Sequence, residues 1–362
     1  MADEGHGYAR PDASALWSAA AQATGRKVRM ILCGDIGGTK TLLAVAEGSP
    51  TAPRLVHERQ LFAAGHDSFD SALRAFVADW QRMRGTPLQV QAACLGVAGP
   101  LSGNAVQMTN LPWRLSGDGI SAMLAQGGPL PPVRLVNDFM AAATGVGVLP
   151  SSSLVTLQDG EPVARAPQLV IGAGSGLGVA LRVWTGLDYL VIPGEGGHYG
   201  FAPSCAEHDD LLHFLRGERP RVVVEHVVSG PGLAAIHRWL SSRRAAPAPA
   251  RPLTGEAVHR LATQDSDPLA VLALEHFVRA YGSVAGDYAL ASLARGGVFL
   301  AGGIAAKCLP WMQGGRFIAA FGDKGPYARL MQELPIHVVT EPRVGLLGAA
   351  SLALGQTAAG PA

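Results

Sequence analysis

The stretch Ile31-Leu32-Cys33-Gly34-Asp35-Ile36-Gly37-Gly38-Thr39-Lys40-Thr41, running on through Ala46, decides the fold. Ile31 to Cys33 reads as an apolar strand, Gly34 to Lys40 as a glycine-rich turn, and Thr41 to Ala46 as the returning strand. Glycines in such a turn let backbone N–H groups converge on a phosphate, and Asp35 is an acid suited to hold Mg2+, directly or through water. Taken alone, the segment is also readable as an ordinary hairpin turn, the lesser alternative. It is not a P-loop, because Thr39 stands where that motif requires glycine.

Outward from this turn, Leu55 to Leu61 reads as a further strand. Ser68 to Met83 spaces Phe69, Leu73, Phe76, Val77 and Trp80 as one face of a helix, capped by Asp67 or Ser68. Val90 to Val97 and Val133 to Val136 are apolar strands, and an alanine-rich helix follows from Phe139. Leu169 to Ile171, Gly172 to Gly178, and Val179 to Val183 then repeat the opening scheme of strand, glycine turn, strand, so the chain reads as two related halves. The second turn is not a dinucleotide fingerprint, since Leu177 replaces the third glycine and a strand follows where a helix should open. The second half continues with helices over Glu207 to Leu215, Leu233 to Ser241 and Pro268 to Leu293. A Pro/Ala linker spans 245–252. Val298 to Leu300 is a strand running into Gly302-Gly303, Ile336 to Val339 another, and Val344 to Leu354 a final helix. Two glycine turns and this late glycine loop suit one nucleotide clasped between two similar halves.

Three polar groups stand out. Asn137-Asp138 follows a strand end, where α/β proteins commonly bind ligands, and Asp138 is a candidate general base; the same pair also suits a helix N-cap. Glu195 and His198 sit in Pro193-Gly194-Glu195-Gly196-Gly197-His198, read as a loop too rich in glycine for packing. Carboxylate, amide and imidazole groups are natural hydrogen-bonding partners for a polyol. Metal binding by Glu195, His198 and His208 is the lesser alternative. Glu225 taken alone reads as a structural acid near a helix start.

With 362 residues and 48% hydrophobic content, two domains are expected. Lys+Arg is 29 against Asp+Glu 28, which argues against nucleic acid as a partner. No uncharged apolar run approaches the ~18 residues of a membrane span. The four cysteines are far apart, so neither a disulfide framework nor a zinc cluster is suggested and a cytoplasmic location fits. Residues 1–29 lack a secretory signal and are expected to form a disordered tail.

Read in order, G-D-I-G-G-T at 34–39, N-L-P-W at 110–113, N-D-F at 137–139, G-A-G-S-G-L-G at 172–178 and P-G-E-G-G-H at 193–198 form a recognisable series. S-G-P-G-L at 229–233, G-G-V-F-L-A-G-G-I at 296–304 and G-L-L-G at 345–348 continue it. The series resembles the bacterial ATP-dependent glucokinases, of the group without the cysteine-rich zinc motif of the ROK sugar kinases, within the actin, Hsp70 and sugar-kinase superfamily. That resemblance implies an α/β, two-domain actin-like ATPase (ribonuclease H-like) fold with mixed sheets and an interdomain cleft. It implies a small domain over 30–148 joined by 340–358, and a large domain over 149–339.

The resemblance also implies roles. Asp138 matches the catalytic base, and Asn137, Asp138, Glu195, His198 and Glu225 match the glucose-binding residues. Gly34, Asp35, Ile36, Gly37, Gly38 and Thr39 match the first phosphate segment, Gly174, Ser175 and Gly176 the second, and Gly302 and Gly303 the adenosine segment. Asp35 is the implied Mg2+ site, ATP and Mg2+ the implied cofactors, glucose the substrate, and a homodimer the implied assembly. Another hexose, a sugar-sensing regulator, or a filament- or chaperone-type ATPase are the competing readings; the Asn137, Asp138, Glu195, His198 cluster has no use in the last.

Overall fold

A computed structural model describes residues 30–38, 40–108, 111–243 and 252–358. The expectations for residues 1–29, Thr39, Asn110 and linker positions 245–251 fall outside the described residues.

The first half opens with β1 (Ile31–Ile36), β2 (Lys40–Ser49) and β3 (Ala52–Phe62), an antiparallel meander. The ladder runs up to the pair Ile36↔Thr41, so Gly34 and Asp35 are strand residues and the turn is shorter than the composition suggests. Gly34 answers a packing demand: a Cβ there would lie 2.6 Å from Leu95 and 2.9 Å from Leu43. Helix α1 (Phe69–Arg84) follows, with Ser68 as its cap, accepting from the Ser71 N–H, and with Phe69, Leu73, Phe76 and Trp80 buried. Strand β4 (Ala93–Val97) pairs parallel to β1. A small sheet of β5 (Leu101–Ser102), β6 (Ala105–Gln107) and β7 (Arg114–Ser116), then α2 (Gly117–Ala125), lead to β8 (Val133–Asn137), which is parallel to β4. The strand order is β3-β2-β1-β4-β8. Helix α3 (Asp138–Val146) leaves the end of β8.

The second half repeats this plan with one strand added. After β9 (Leu154–Gln158) come β10 (Gln168–Ala173), β11 (Leu177–Trp184) and β12 (Tyr189–Gly194), again antiparallel neighbours. Helices α4 (Ala206–Glu218), α5 (Gly230–Ser242), α6 (Gly255–Thr263) and α7 (Pro268–Ser292) precede β13 (Val298–Ala301), α8 (Gly303–Lys307), β14 (Ile336–Val339) and α9 (Val344–Ala358). The order is β12-β11-β10-β13-β14-β9, with β13 parallel to both neighbours. The expected internal repeat is therefore a repeat of topology.

Strand β12 departs from the reading of 193–198 as loop throughout, since Pro193 and Gly194 pair with Ala180 and Val179. It is a sheet edge, where a residue without an N–H is tolerated. Only its last two residues look like a turn; Tyr189 to Ile192 are strand formers.

Each half sends its last helix to the other sheet or to the seam. Leu346, Ala349, Ala350, Ala353 and Leu354 of α9 are buried with Ile31, Cys33, Ala44 and Cys94 of the first sheet. Ala143 and Val146 of α3 are buried with Val170, Ala180 and Val191 of the second. The two helices cross at glycines: a Cβ at Gly348 would strike the Ala141 carbonyl, and one at Gly145 the Val344 carbonyl. Backbone-to-backbone contact at this crossing leaves little space between the two sheets' supports, and Phe139, two residues past the end of β8, lies against Gly172 near the end of β10.

Candidate active site

Asn137 ends β8 and caps α3, its Oδ1 accepting from the N–H groups of Phe139 at 2.9 Å and Met140 at 3.1 Å. The capping reading is thus correct for Asn137. Asp138 opens the helix, and its Oδ1 accepts from Phe139 N–H at 2.8 Å. Its carboxyl is held above the ordinary range by burial; the Phe139 N–H opposes this, and Glu195 adds to it.

Asp35 is half-buried in β1, and its carboxylate lies against the start of α9: a Cβ on Gly345 would sit 2.9 Å from Oδ2. Burial pushes this carboxyl up to about 6, Asp138 raises it further, and Lys40 opposes. Asp35, Asp138 and Glu195 therefore form a chain of mutually repelling acids from β1 to the second half. Such a group favours a cation and hydrogen-bond donors.

Glu195 precedes a single turn of 3-10 helix, Gly196–His198, and both Glu195 and His198 are exposed. Tyr288 of α7 donates its hydroxyl hydrogen bond to the Gly196 carbonyl and so props this turn from beneath. Glu225, the weakest of the sequence-based candidates, is drawn in by two contacts. Its Oε2 accepts from Leu177 N–H at 2.9 Å. The same carboxylate lies over Gly176, and a Cβ on Gly197 would lie 3.4 Å from it. It thus sits between the second glycine turn and the Glu195–His198 segment.

That second turn is Gly174–Gly176, closed by Gly174 N–H to the Gly176 carbonyl at 2.8 Å. Gly230 N–H donates to the Gly174 carbonyl at 2.8 Å, bringing the start of α5 to the turn. Ser229 caps α5 and donates to the Glu225 carbonyl at 2.6 Å. Gly302 and Gly303 are exposed beside it, Gly302 in the left-handed region at φ 84° with no room for a Cβ against the Ala173 carbonyl. Ser175 is exposed as well. In the first half, Gly37 N–H donates to the Lys40 carbonyl at 3.1 Å, and Gly38 borders a cavity of about 500 Å³ with His66, Asp67, Pro112 and Trp113.

Three supporting residues were not singled out from sequence: Phe139, Tyr281 and Tyr288. Tyrosines within one long apolar helix carry no sequence signal of function, because burial and ligand support look alike. Among the described residues no three His, Cys, Asp or Glu side chains gather to hold a metal ion, so Glu195, His198 and His208 do not converge. His208 is instead a core residue whose burial, with His276 and Arg279 nearby, pushes its pKa down to about 4. No helix among the described residues is long and apolar enough to cross a membrane.

Two sheets of one topology, each presenting a glycine turn to a shared cleft floored by acids, define a two-domain actin-like sugar kinase. A glucokinase family profile matches residues 32–356. The glucokinase of Trichormus variabilis is 37% identical over 342 residues, covering 89% of this chain and 98% of that one. A crystal structure of glucokinase from an Antarctic psychrotroph has a TM-score of 0.78 at 29% identity, covering 91% of this chain and 100% of that chain. The glucokinase of Balamuthia mandrillaris in complex with glucose shares the fold, with a TM-score of 0.76 at 22% identity over 93% of this chain and 96% of that one. The chain belongs to the glucokinase family.

Proposed function

We propose that this chain transfers the γ-phosphoryl group of MgATP to the 6-hydroxyl of glucose, giving glucose 6-phosphate and ADP. The observation that carries the reading is the place of Asp138 at the end of β8, where its neighbour Phe139 lies against the hairpin that bears the second glycine turn. Family membership supplies the reaction.

Asp138 accepts the proton of the 6-hydroxyl as phosphoryl transfer proceeds. Burial raises its carboxyl above the ordinary aspartate range, which makes it a stronger base than an exposed aspartate. Asn137, Glu195, His198 and Glu225 hold the sugar hydroxyls; one oxygen of Glu225 is engaged by Leu177, which leaves the other for the sugar. Backbone N–H groups of Gly38, Ser175 and Gly176 line the phosphates, while Gly37 and Gly174 shape the two turns through their own bonds to the Lys40 and Gly176 carbonyls, and Gly34, Ile36 and Thr39 belong to the first segment. Gly302 and Gly303 lie beside the adenosine. Asp35 fits a cation, being a crowded acid with Asp138 close by, and holds Mg2+ directly or through water. Bound Mg2+ supplies neutralisation of phosphate charge.

Residues 30–148 with 340–358 act as one closing body and 149–339 as the other. The protein works as a homodimer, a reading supported by the family resemblance, and in the cytoplasm, where the unpaired cysteines at 33, 94, 205 and 308 fit a reducing environment. The test is coupled ADP release over a hexose panel, comparing the wild type with Asp138→Asn. Glucose-dependent turnover that falls by about 10²–10⁴-fold in the variant, with glucose binding retained, is expected. ATP consumption indifferent to sugar overturns the reading.

A further inference from the structure

The base and the second phosphate turn belong to opposite halves, yet in-line transfer requires the hydroxyl and the γ-phosphate to be held in register. A 1 Å misplacement costs on the order of 10²-fold in rate. What sets the register is visible at Phe139. Its N–H is gripped by both Asn137 Oδ1 and Asp138 Oδ1, so its backbone cannot move independently of the base. Its ring leaves α3 and lies on Gly172 and Gly178, which are direct cross-strand partners in the β10–β11 hairpin. A Cβ on Gly172 would stand 2.8 Å from ring atom Cε2, and one on Gly178 would stand 2.2 Å from Cδ2. No other residue pair in this hairpin is glycine facing glycine, and four residues farther along each strand the same face carries larger side chains.

The opposite face of β10 is pinned at the same place. Tyr281 of α7 is fully buried; its hydroxyl donates to the Ile171 carbonyl and accepts from Ala173 N–H, both at 3.3 Å. The hairpin end is therefore held between Tyr281 on one face and Phe139 on the other. The next residues along are Gly174 to Gly176. A ring seated on a glycine pair makes close, steep van der Waals contact, which resists displacement far better than a solvated polar contact does.

We infer that Phe139 is a positioning residue for phosphoryl transfer: its ring, seated on Gly172 and Gly178, sets Asp138 in register with the second phosphate turn. This rests on the function proposed above. Phe139 acts through Asp138 on one side and the hairpin on the other.

The test is steady-state kinetics on the purified full chain for Phe139→Leu, Phe139→Ala, Gly178→Ala and the double variant Phe139→Ala/Gly178→Ala, beside sugar-free ATP hydrolysis and thermal melts. In the folded single variants kcat falls about tenfold or more, while KM for glucose and for ATP stays within about threefold, as expected when alignment rather than binding is lost. Background ATP hydrolysis, which does not use the sugar hydroxyl, falls less than glucose phosphorylation. Gly178→Ala lowers kcat in the wild type but not in the Phe139→Ala background, because the ring it would strike is gone.

The assignment is overturned by kcat within about twofold of wild type in folded Phe139→Leu, or by equal falls in transfer and background hydrolysis. Additive losses in the double variant also overturn it. A wild type that no hexose stimulates overturns the proposed function itself, which the variant comparison alone cannot do.

Discussion

The fifth residue of β1 is Asp35 and the fifth residue of β10 is Gly172, and the two strands hold equivalent places in sheets of one topology. Each meets the second residue of a crossing helix: Asp35 meets Gly345 of α9, and Gly172 meets Phe139 of α3. In one niche the strand supplies the bulk and the helix the glycine; in the other this is reversed. The consequence is chemical. The first niche keeps a carboxylate beside the cleft, crowded by Asp138. The second is filled by a ring and becomes mechanical. A repeated architecture thus provides one site for charge and one for alignment.

The largest effect that would sharpen this contrast is Asp35→Asn. Activity should fall by about 10²–10³-fold, the usual cost of losing one preorganised electrostatic contact. Stability should move the other way. The folded-state carboxyl, at about 6, lies above its ordinary 3.8, so the wild type is penalised for ionising it. That penalty is absent below the unfolded pKa, grows as pH rises between the two values, and is complete above the folded one. It amounts to up to about 3 kcal/mol. Urea melts should find the variant more stable at pH 7 and equal to wild type near pH 3. A variant no more stable at pH 7 would mean that Asp35 is not strained and that the charged niche is misread.

A smaller effect is expected where the niches share their support. Gly348→Val puts a branched side chain into the Ala141 carbonyl and should cost about 3 kcal/mol in denaturant melts. Both halves should lose stability in one transition if the crossing truly joins them; two separate transitions would break the comparison. The smallest effect is Tyr281→Phe. It removes a buried hydroxyl with two long hydrogen bonds on the mechanical side only, costing about 1 kcal/mol. KM for ATP should rise more than KM for glucose, and equal rises would argue against a local effect on the second turn.

Much of this was legible in the chain. The face of α1 from Phe69 to Trp80 follows from spacing alone, because a helix buries what recurs every three to four residues. Strand β14 was read as Ile336 to Val339, the residues it occupies. Both glycine turns and the repeat of their flanking strands were visible too. Strand β12 is less plain, because Tyr189 to Ile192 has strand-forming composition with Val191 buried between exposed Leu190 and Ile192, but Pro193 and Gly194 at its end read as turn. Helix α6 is not evident beside the linker, and Glu225 carries no local signal because its partner, Leu177, opens β11, far away in the sequence.

Local order in the sequence determined the turns, the strands that flank them and the presence of Asn137, Asp138, Glu195 and His198 in segments suited to a ligand. These depend on backbone permissiveness and on periodicity, which near neighbours specify. Only the tertiary structure decided that Asp35 would face Gly345, that Phe139 would rest on Gly172 and Gly178, and that Glu225 would bridge two loops. Such pairings are set by sheet register and helix crossing. Those are settled by packing the whole core at once, and no short stretch of the chain contains them.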